Sequence, residues 1–165
     1  MSSYIKLIIF IVVLVLISTA VVFVESSTDN MNKSMHSISD SIVQGDSDYN
    51  EAVDLVNSKH FDDGMDMAES AGDNFNVSLG KLKEMQDNSS DINEIHRNYI
   101  DTVITEVELK LQAVDLLKGA IECFEVQSNY TGSNYASQAN DIMYQAKVYQ
   151  DQRDNLVLNN SGLFK

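Results

Sequence analysis

Residues 107–124 read VELKLQAVDLLKGAIECF, and this stretch decides the fold. Its apolar side chains recur at spacings of three and four, which is typical of an α-helix. They form two stripes, one of Val107, Leu111, Val114, Leu117, Ile121 and Phe124 and the other of Leu109, Ala113, Leu116, Ala120 and Cys123. At about 100° per residue the stripes cover roughly two thirds of the circumference, whereas a surface helix needs only one. We therefore expect a helix from about Asp91, capped by Ser90, to about Gln127, at the centre of a bundle.

The sequence on either side predicts helices that would pack on this central one. A helix from about Phe61 to Met85 has apolar and small residues on one side and the acidic residues Asp62, Asp66, Glu69 and Asp73 on the other. Polar turn-forming residues follow at 86–90 and again at 129–134. The last helix then has a heptad-like seam of Tyr135, Ala139, Ile142, Ala146, Tyr149 and Leu156, with Arg153 as a polar exception.

The sequence predicts two more helices before Phe61, a longer one followed along the chain by a short one. Met31, Met35, Ile38 and Ile42 make a helical stripe that we expect Gly45 to end, with Asp46-Ser47-Asp48 opening the short helix. The fold class predicted is all-α, a bundle of four to five amphipathic helices at 46–158. Residues 25–45 are a helical stalk or first bundle helix, and 159–165 a disordered tail. A continuous coiled coil is the alternative, although it needs a single narrow seam.

A membrane segment is predicted near the start of the chain. Leu7 to Val24 read LIIFIVVLVLISTAVVFV, eighteen residues without charge, Pro or Gly. At 1.5 Å per residue they span roughly 27 Å, close to the ~30 Å of a hydrocarbon core. The run at 7–24 (extending to 4–24) is too long for a signal peptide, which is the alternative. Lys6 precedes it and Glu25 follows, so we expect a transmembrane helix with residues 1–6 cytoplasmic and the remainder outside.

Composition limits what the outer part binds. The 141 residues after Val24 carry 10 Lys and Arg against 25 Asp and Glu, a net charge of −15. Such a surface repels nucleic acid, so no nucleic-acid partner is expected. The one cysteine, Cys123, cannot form an internal disulfide and is expected to be buried on the central helix.

No motif in the sequence predicts catalysis or a bound cofactor. Asp46-Ser47-Asp48 resembles the start of an EF-hand calcium loop, but Glu51 stands where the turn glycine belongs, so capping explains these residues better. His36, His60 and His96 are scattered and expected at the surface. Of five Asn-x-Ser/Thr sequons, Asn88 and Asn129 fall in predicted turns and are the best candidates for glycosylation. An Asn- and Ser-rich composition explains the sequons equally well.

One resemblance to a known family is carried by two short patterns. Ala71-x-x-x-Phe75-x-x-Ser78 and Ala139-x-x-x-Met143-x-x-Ala146 resemble the second helix of tetratricopeptide repeats. They lie 68 residues apart, twice that family's 34-residue period. The repeat expected between them would place Thr105, Leu109 and Gln112 at the small and aromatic positions, which departs from the pattern. The resemblance implies a peptide-binding groove.

The function expected from the sequence is contact at the cell surface. A membrane-anchored, non-catalytic helical protein would bind another envelope protein, a wall polymer or a second copy of itself. The alternatives are the peptide-binding module above and an extracytoplasmic ligand-binding subunit that acts through a multi-span partner. Such a subunit needs polar groups inside the bundle, for which the candidates are Tyr99, Tyr135, Tyr149 and Arg153.

Overall fold

The described residues fold into four long helices. A computed structural model describes residues 29–87 and 92–164, with side chains from residue 34. The helices are α1 (Asp29–Asn57), α2 (Phe61–Asp87), α3 (Glu94–Glu125) and α4 (Asn129–Asn159), and the described residues contain no strand. The predicted all-α bundle is therefore confirmed, with four helices. The predicted transmembrane segment 7–24 lies outside the described residues. No helix within them has both the length and the apolar character needed to cross a membrane.

The central position predicted for α3 is confirmed. It packs against α1, α2 and α4, while α4 packs on α3 alone among the described helices. The N-terminus of α3 is capped by Asn93, whose side-chain oxygen accepts a hydrogen bond from the His96 backbone N–H at 2.9 Å. The bundle is consequently open, with α4 forming one side of it.

The predicted break at Gly45 is wrong, because α1 continues through it to Asn57. A Cβ atom at Gly45 would lie 2.6 Å from the Phe75 ring, so the glycine lets α2 approach α1 closely. The turn predicted at 129–134 is also wrong, since α4 begins at Asn129. At the other end of α4 we predicted a disordered tail at 159–165. In the structure Phe164 is buried there, its ring 5.2 Å from that of Tyr99.

The four helices form two hairpins that repeat with a period of 68 residues. The first hairpin is α1 and α2 with the turn 58–60, and the second is α3 and α4 with the turn 126–128. Lys59 and Gln127 occupy the middle of these turns at φ values of 65° and 60°. Each of the four backbone hydrogen bonds of the first turn recurs 68 residues later, for example Ser58 N–H to Asp54 C=O and Val126 N–H to Glu122 C=O.

The buried positions repeat as well. Of the 18 buried residues in 34–87, 17 have a buried counterpart 68 residues later, and 102–155 likewise contains 18 buried residues. The exceptions are Asp48 in the first hairpin and Ile104 in the second. The patterns that resemble tetratricopeptide repeats occupy equivalent places in α2 and α4. However, the repeat unit is a 68-residue hairpin of long helices, and no 34-residue repeat lies between the two patterns.

Candidate functional site: a buried ion network and the α3–α4 groove

Four charged side chains lie together in the interior, and we call them the ion network: Asp46, Glu106, Lys110 and Arg153. Each is at most 4% exposed. Asp46 comes from α1, Glu106 and Lys110 from successive turns of α3, and Arg153 from α4. The network therefore joins the two hairpins through the central helix.

Each charge in the network has a partner of opposite sign. The Lys110 Nζ atom lies 2.8 Å from Asp46 Oδ1 and 2.9 Å from Glu106 Oε1. The Arg153 Nη1 atom lies 2.9 Å from Glu106 Oε2. Lys110 Nζ is also 5.7 Å from the centre of the Phe75 ring, within the range of a cation–π contact. Two acids and two bases thus balance to zero in a region closed to solvent.

Burial and pairing act in opposite directions on these groups. Burial raises the pKa of Asp46 to about 6, although the neighbouring Lys110 ammonium opposes the shift. Burial alone would lower the pKa of Lys110, but the carboxylates of Glu106 and Asp46 raise it above its usual value. The Glu106 carboxylate likewise outweighs burial and raises the pKa of Arg153. Asp46, Lys110 and Arg153 are consequently charged at neutral pH.

A second polar cluster lies inside the first hairpin around Asp48. Its carboxylate accepts hydrogen bonds from Gln44 Nε2 at 2.7 Å, from Ser70 Oγ at 2.7 Å and from Asn74 Nδ2 at 3.0 Å. These four residues fill the space between α1 and α2 at this level. Asp46 and Asp48 lie within α1, so the capping role predicted for them is wrong. The helical backbone there also differs from the loop that an EF-hand needs, in agreement with the rejection of that resemblance.

The equivalent place in the second hairpin is an open depression, which we call the α3–α4 groove. It measures about 370 Å³ and is lined by Gln112, Asp115, Leu116, Gln138, Asp141 and Ile142. Leu116 and Ile142 are half-buried and form its apolar floor, while the other four residues are exposed. Leu116, Gln138 and Ile142 stand 68 residues after Asp48, Ser70 and Asn74, and Gln112 stands 68 after Gln44.

The side of α4 that faces away from α3 carries large exposed side chains. Tyr130 is 85% exposed, Tyr144 61% and Val148 41%, and we call these three residues the α4 outer face. Tyr130 and Val148 are eighteen residues apart, which is five helical turns, so they lie on one line along the helix. Val148 lies midway between the buried residues Ala146 and Gln150, so it projects to the opposite side.

α4 differs from the other helices in charge and composition. It carries three acidic and two basic residues, a net charge of −1, whereas α1 and α2 each carry −5 and α3 carries −4. It also contains four of the seven tyrosines of the chain and nine Asn and Gln residues. A surface low in charge and rich in tyrosine has the composition of the core of a protein–protein interface.

The residues singled out from the sequence are spread over the molecule. Asn129 is the exposed first residue of α4, and Asn88 lies outside the described residues. Cys123 is half-buried with a free thiol. His36 and His60 are exposed as expected, but the prediction for His96 is wrong. It is buried, with its Nε2 atom 3.1 Å from the Leu163 carbonyl oxygen, because the C-terminal turn packs over it.

The interior polar candidates separate into two groups. Tyr99 and Arg153 are buried, and Arg153 belongs to the ion network, whereas Tyr135 is 37% exposed and Tyr149 is half-buried. Sequence reasoning missed Glu106 and Lys110, which are fully buried. Among the described residues no three His, Cys, Asp or Glu side chains converge on a common point where a metal ion would fit.

Comparison of the chain with protein-family models, with curated proteins and with solved structures found no match.

Proposed function

We propose that this chain is a single-pass membrane protein of the cell surface that works by binding another protein through its helical domain. The apolar run Leu7 to Val24 would anchor it, with the N-terminus in the cytoplasm and the helices outside. The domain would act through contact and not through catalysis, since the ionisable groups that are gathered together in its interior are closed to solvent.

The observation that carries the proposal is the asymmetry of exposed apolar side chains. Among the side chains that the structure describes, eight large hydrophobic residues are exposed, and five of them lie on α4, which makes up less than a quarter of the described residues. Exposing tyrosine rings and a valine costs solubility without stabilising the monomer, so such a patch usually marks a binding surface. The low charge of α4 reduces the desolvation cost of covering it.

Site-specific photocrosslinking in native membranes tests this proposal. A photoreactive amino acid at Tyr144 or Val148 should give a discrete adduct of higher mass, to be identified by mass spectrometry. The matched control position is Gly80, the counterpart of Val148 on α2, which is exposed with open space around its Cα atom. Equal labelling from Gly80 and Val148, or no adduct from either α4 position, would contradict the proposal.

The membrane placement has its own test. Protease added to intact cells should remove the helical domain, because the proposed topology places everything after Val24 outside. Protection of the C-terminal part would reverse the topology. Recovery of a lipid-free chain cut near Ser26 from the culture fluid would replace the anchor by a cleaved signal.

A second candidate function is supported by the α3–α4 groove. Its volume of about 370 Å³ lies at the small end of the range for ligand pockets, roughly 300 to 1,000 Å³. An extracytoplasmic sensory subunit would bind a small molecule there and act through a multi-span partner. The groove is open, with four exposed lining residues, and this favours a site for a side chain of a partner over one that encloses a free ligand.

A further inference from the structure

The two hairpins place different residues at the same point between their helices. In the first hairpin, Asp48 and its three hydrogen-bond donors close the space between α1 and α2. In the second, Leu116 and Ile142 replace Asp48 and Asn74, and the space remains open as the α3–α4 groove. The groove is therefore a position that the fold fills in one copy of the repeat and leaves free in the other.

The chemistry of the groove is that of a receptor for a cation with an apolar stem. Its floor is formed by Leu116 and Ile142, which are suited to a hydrocarbon chain. The exposed carboxylates of Asp115 and Asp141 stand at its rim with two glutamine side chains. No basic residue lines it. Of the lysines on the same two helices, Lys110 is held in the ion network, and Lys118 and Lys147 pair with Glu69 and Asp151 respectively.

We infer that the α3–α4 groove receives a lysine or arginine side chain from the protein partner of this chain. The stem of the basic residue would lie on Leu116 and Ile142, and its charged end would pair with Asp115 and Asp141. The inference rests on the proposed function and deepens it by assigning the chemistry of the partner. The net charge of −14 would also attract a basic partner from a distance.

The groove is continuous with the α4 outer face. Asp141 precedes Tyr144 by three residues and Val148 by seven, so the three lie along one side of α4. A partner that covers Tyr144 and Val148 would therefore pass over Asp141 and bring a neighbouring side chain to the groove. The tyrosines would supply buried area, and the carboxylates would select the basic residue at that place.

A titration with side-chain mimics tests the chemistry of the groove directly. The full chain in neutral detergent micelles is titrated with n-butylammonium and n-butylguanidinium while the side-chain amide signals of Gln112 and Gln138 are followed by NMR. We expect saturable shifts at millimolar concentrations for both cations and none for n-butanol or n-butyrate. Equal shifts with n-butanol would show a merely apolar groove and overturn the inference. Micromolar affinity for n-butylammonium would do so too, by assigning the groove to a free amine.

Three variants sharpen the titration. Asp115→Asn with Asp141→Asn should weaken cation binding at least tenfold, because both carboxylates are lost. Asp73→Asn, at the counterpart of Asp141 in the first hairpin, should leave it unchanged. The combination Leu116→Asp, Gln138→Ser and Ile142→Asn copies the Asp48 cluster into the second hairpin and should abolish binding by closing the groove. Unchanged binding in the double Asp→Asn variant would overturn the inference whatever the triple variant does.

Crosslinking separates this inference from the proposed function. The adduct formed from Val148 should fall at least tenfold in yield in the Asp115→Asn, Asp141→Asn variant and stay unchanged in Asp73→Asn. An adduct of full yield in the double variant would overturn the groove inference and leave the contact function standing. Absence of any adduct in the wild-type chain would instead overturn the contact function, whether or not the cations bind.

Discussion

In the first hairpin Ile38, Ile42 and Met85 are buried where the second hairpin buries Glu106, Lys110 and Arg153. The helices, their turns and 17 of the 18 buried positions nevertheless correspond. The spacing of inward-facing side chains therefore sets the geometry of each hairpin, and their chemistry varies provided that buried polar groups have partners. Only six of the 54 aligned pairs between 34–87 and 102–155 are identical, four of them being the small residues at 52, 64, 68 and 71 and their counterparts.

Around Asp48 the difference in polarity between the two hairpins is reversed. There the first hairpin is polar and the second has Leu116, yet the apolar version is the one that stays open to solvent. A polar cluster closes this gap because its side chains are held together by directional hydrogen bonds. Leucine and isoleucine at the same places leave a depression instead.

The largest difference in stability between matched variants of the two hairpins is expected when Lys110, the central cation of the ion network, is removed. Lys110→Met leaves the Asp46 and Glu106 carboxylates buried beside each other, which should lower the free energy of unfolding by about 3 to 5 kcal/mol. Ile42→Met, at the equivalent place in the first hairpin, should cost less than about 1.5 kcal/mol. Denaturant unfolding of the full chain in detergent micelles measures both. An equal loss of stability in the two variants would mean that the charge of Lys110 contributes no more to stability than the volume of its side chain does.

Replacing the whole network by the residues of the other hairpin should have the opposite sign. Asp46→Val, Glu106→Ile, Lys110→Ile and Arg153→Met together give each position its 68-residue counterpart. The removal of all four desolvated charges should leave stability unchanged or raise it by about 1 to 4 kcal/mol. A loss above about 2 kcal/mol in the same unfolding assay would show that the ion pairs exceed their desolvation cost.

A smaller effect is expected at Gly64 and Gly132, the matched glycines near the start of α2 and α4. A Cβ atom at Gly132 would lie 2.6 Å from the Phe124 ring, and one at Gly64 would lie 2.9 Å from a Val56 methyl carbon. Alanine at either position should destabilise the chain by about 1 to 2 kcal/mol, with Gly132 the more sensitive. Gly80→Ala, which meets no neighbour within 4 Å, should stabilise the chain by up to about 1 kcal/mol. Thermal unfolding that ranks Gly132→Ala level with Gly80→Ala would contradict the close contact.

The smallest effect concerns pH. The pKa of Asp46 is about 6 in the folded chain against its usual value of 3.8, so the folded state binds the proton first as pH falls. The contribution of this group to stability therefore rises on acidification, by about 1 kcal/mol between pH 7 and pH 5. Asp46→Asn lacks this contribution. The stability difference between wild type and variant should shift by that amount in favour of wild type, and a shift of opposite sign would show that pairing with Lys110 outweighs burial.

Hydrophobic periodicity in the sequence predicts the positions of the helices correctly where apolar residues form broad stripes. The double stripe placed α3 correctly at the centre, and α2 begins at Phe61 as predicted. The predicted seam of α4 is correct at Ala139 and Ala146, but at Tyr135, Ile142 and Tyr149 it is one residue away from the buried positions. The residues that are in fact buried are Ala136, Met143 and Gln150. Small side chains at Gly132, Ala136 and Ala139 let α4 approach α3 closely, and hydrophobicity alone does not reveal this.

The candidate site was much less accessible from the sequence. Lys110 does follow Val107 by three residues and precedes Val114 by four, so its place on the buried side was readable. Its partner Asp46, however, is 64 residues away on another helix, and no local pattern indicates that pairing. The groove was not predictable either, since it depends on the space that side chains leave unfilled between two helices.

The distribution of the buried charges affects how the two hairpins would associate if they were separate chains. Severed between α2 and α3, one half would keep Asp46 without its partner Lys110, and the other would keep Lys110 with Glu106 as its remaining partner. Re-forming the Asp46–Lys110 ion pair would then favour association with the native other half over other helical hairpins, and would fix the register of the two halves. Separately expressed halves should reassemble on gel filtration, and Asp46→Lys should prevent it.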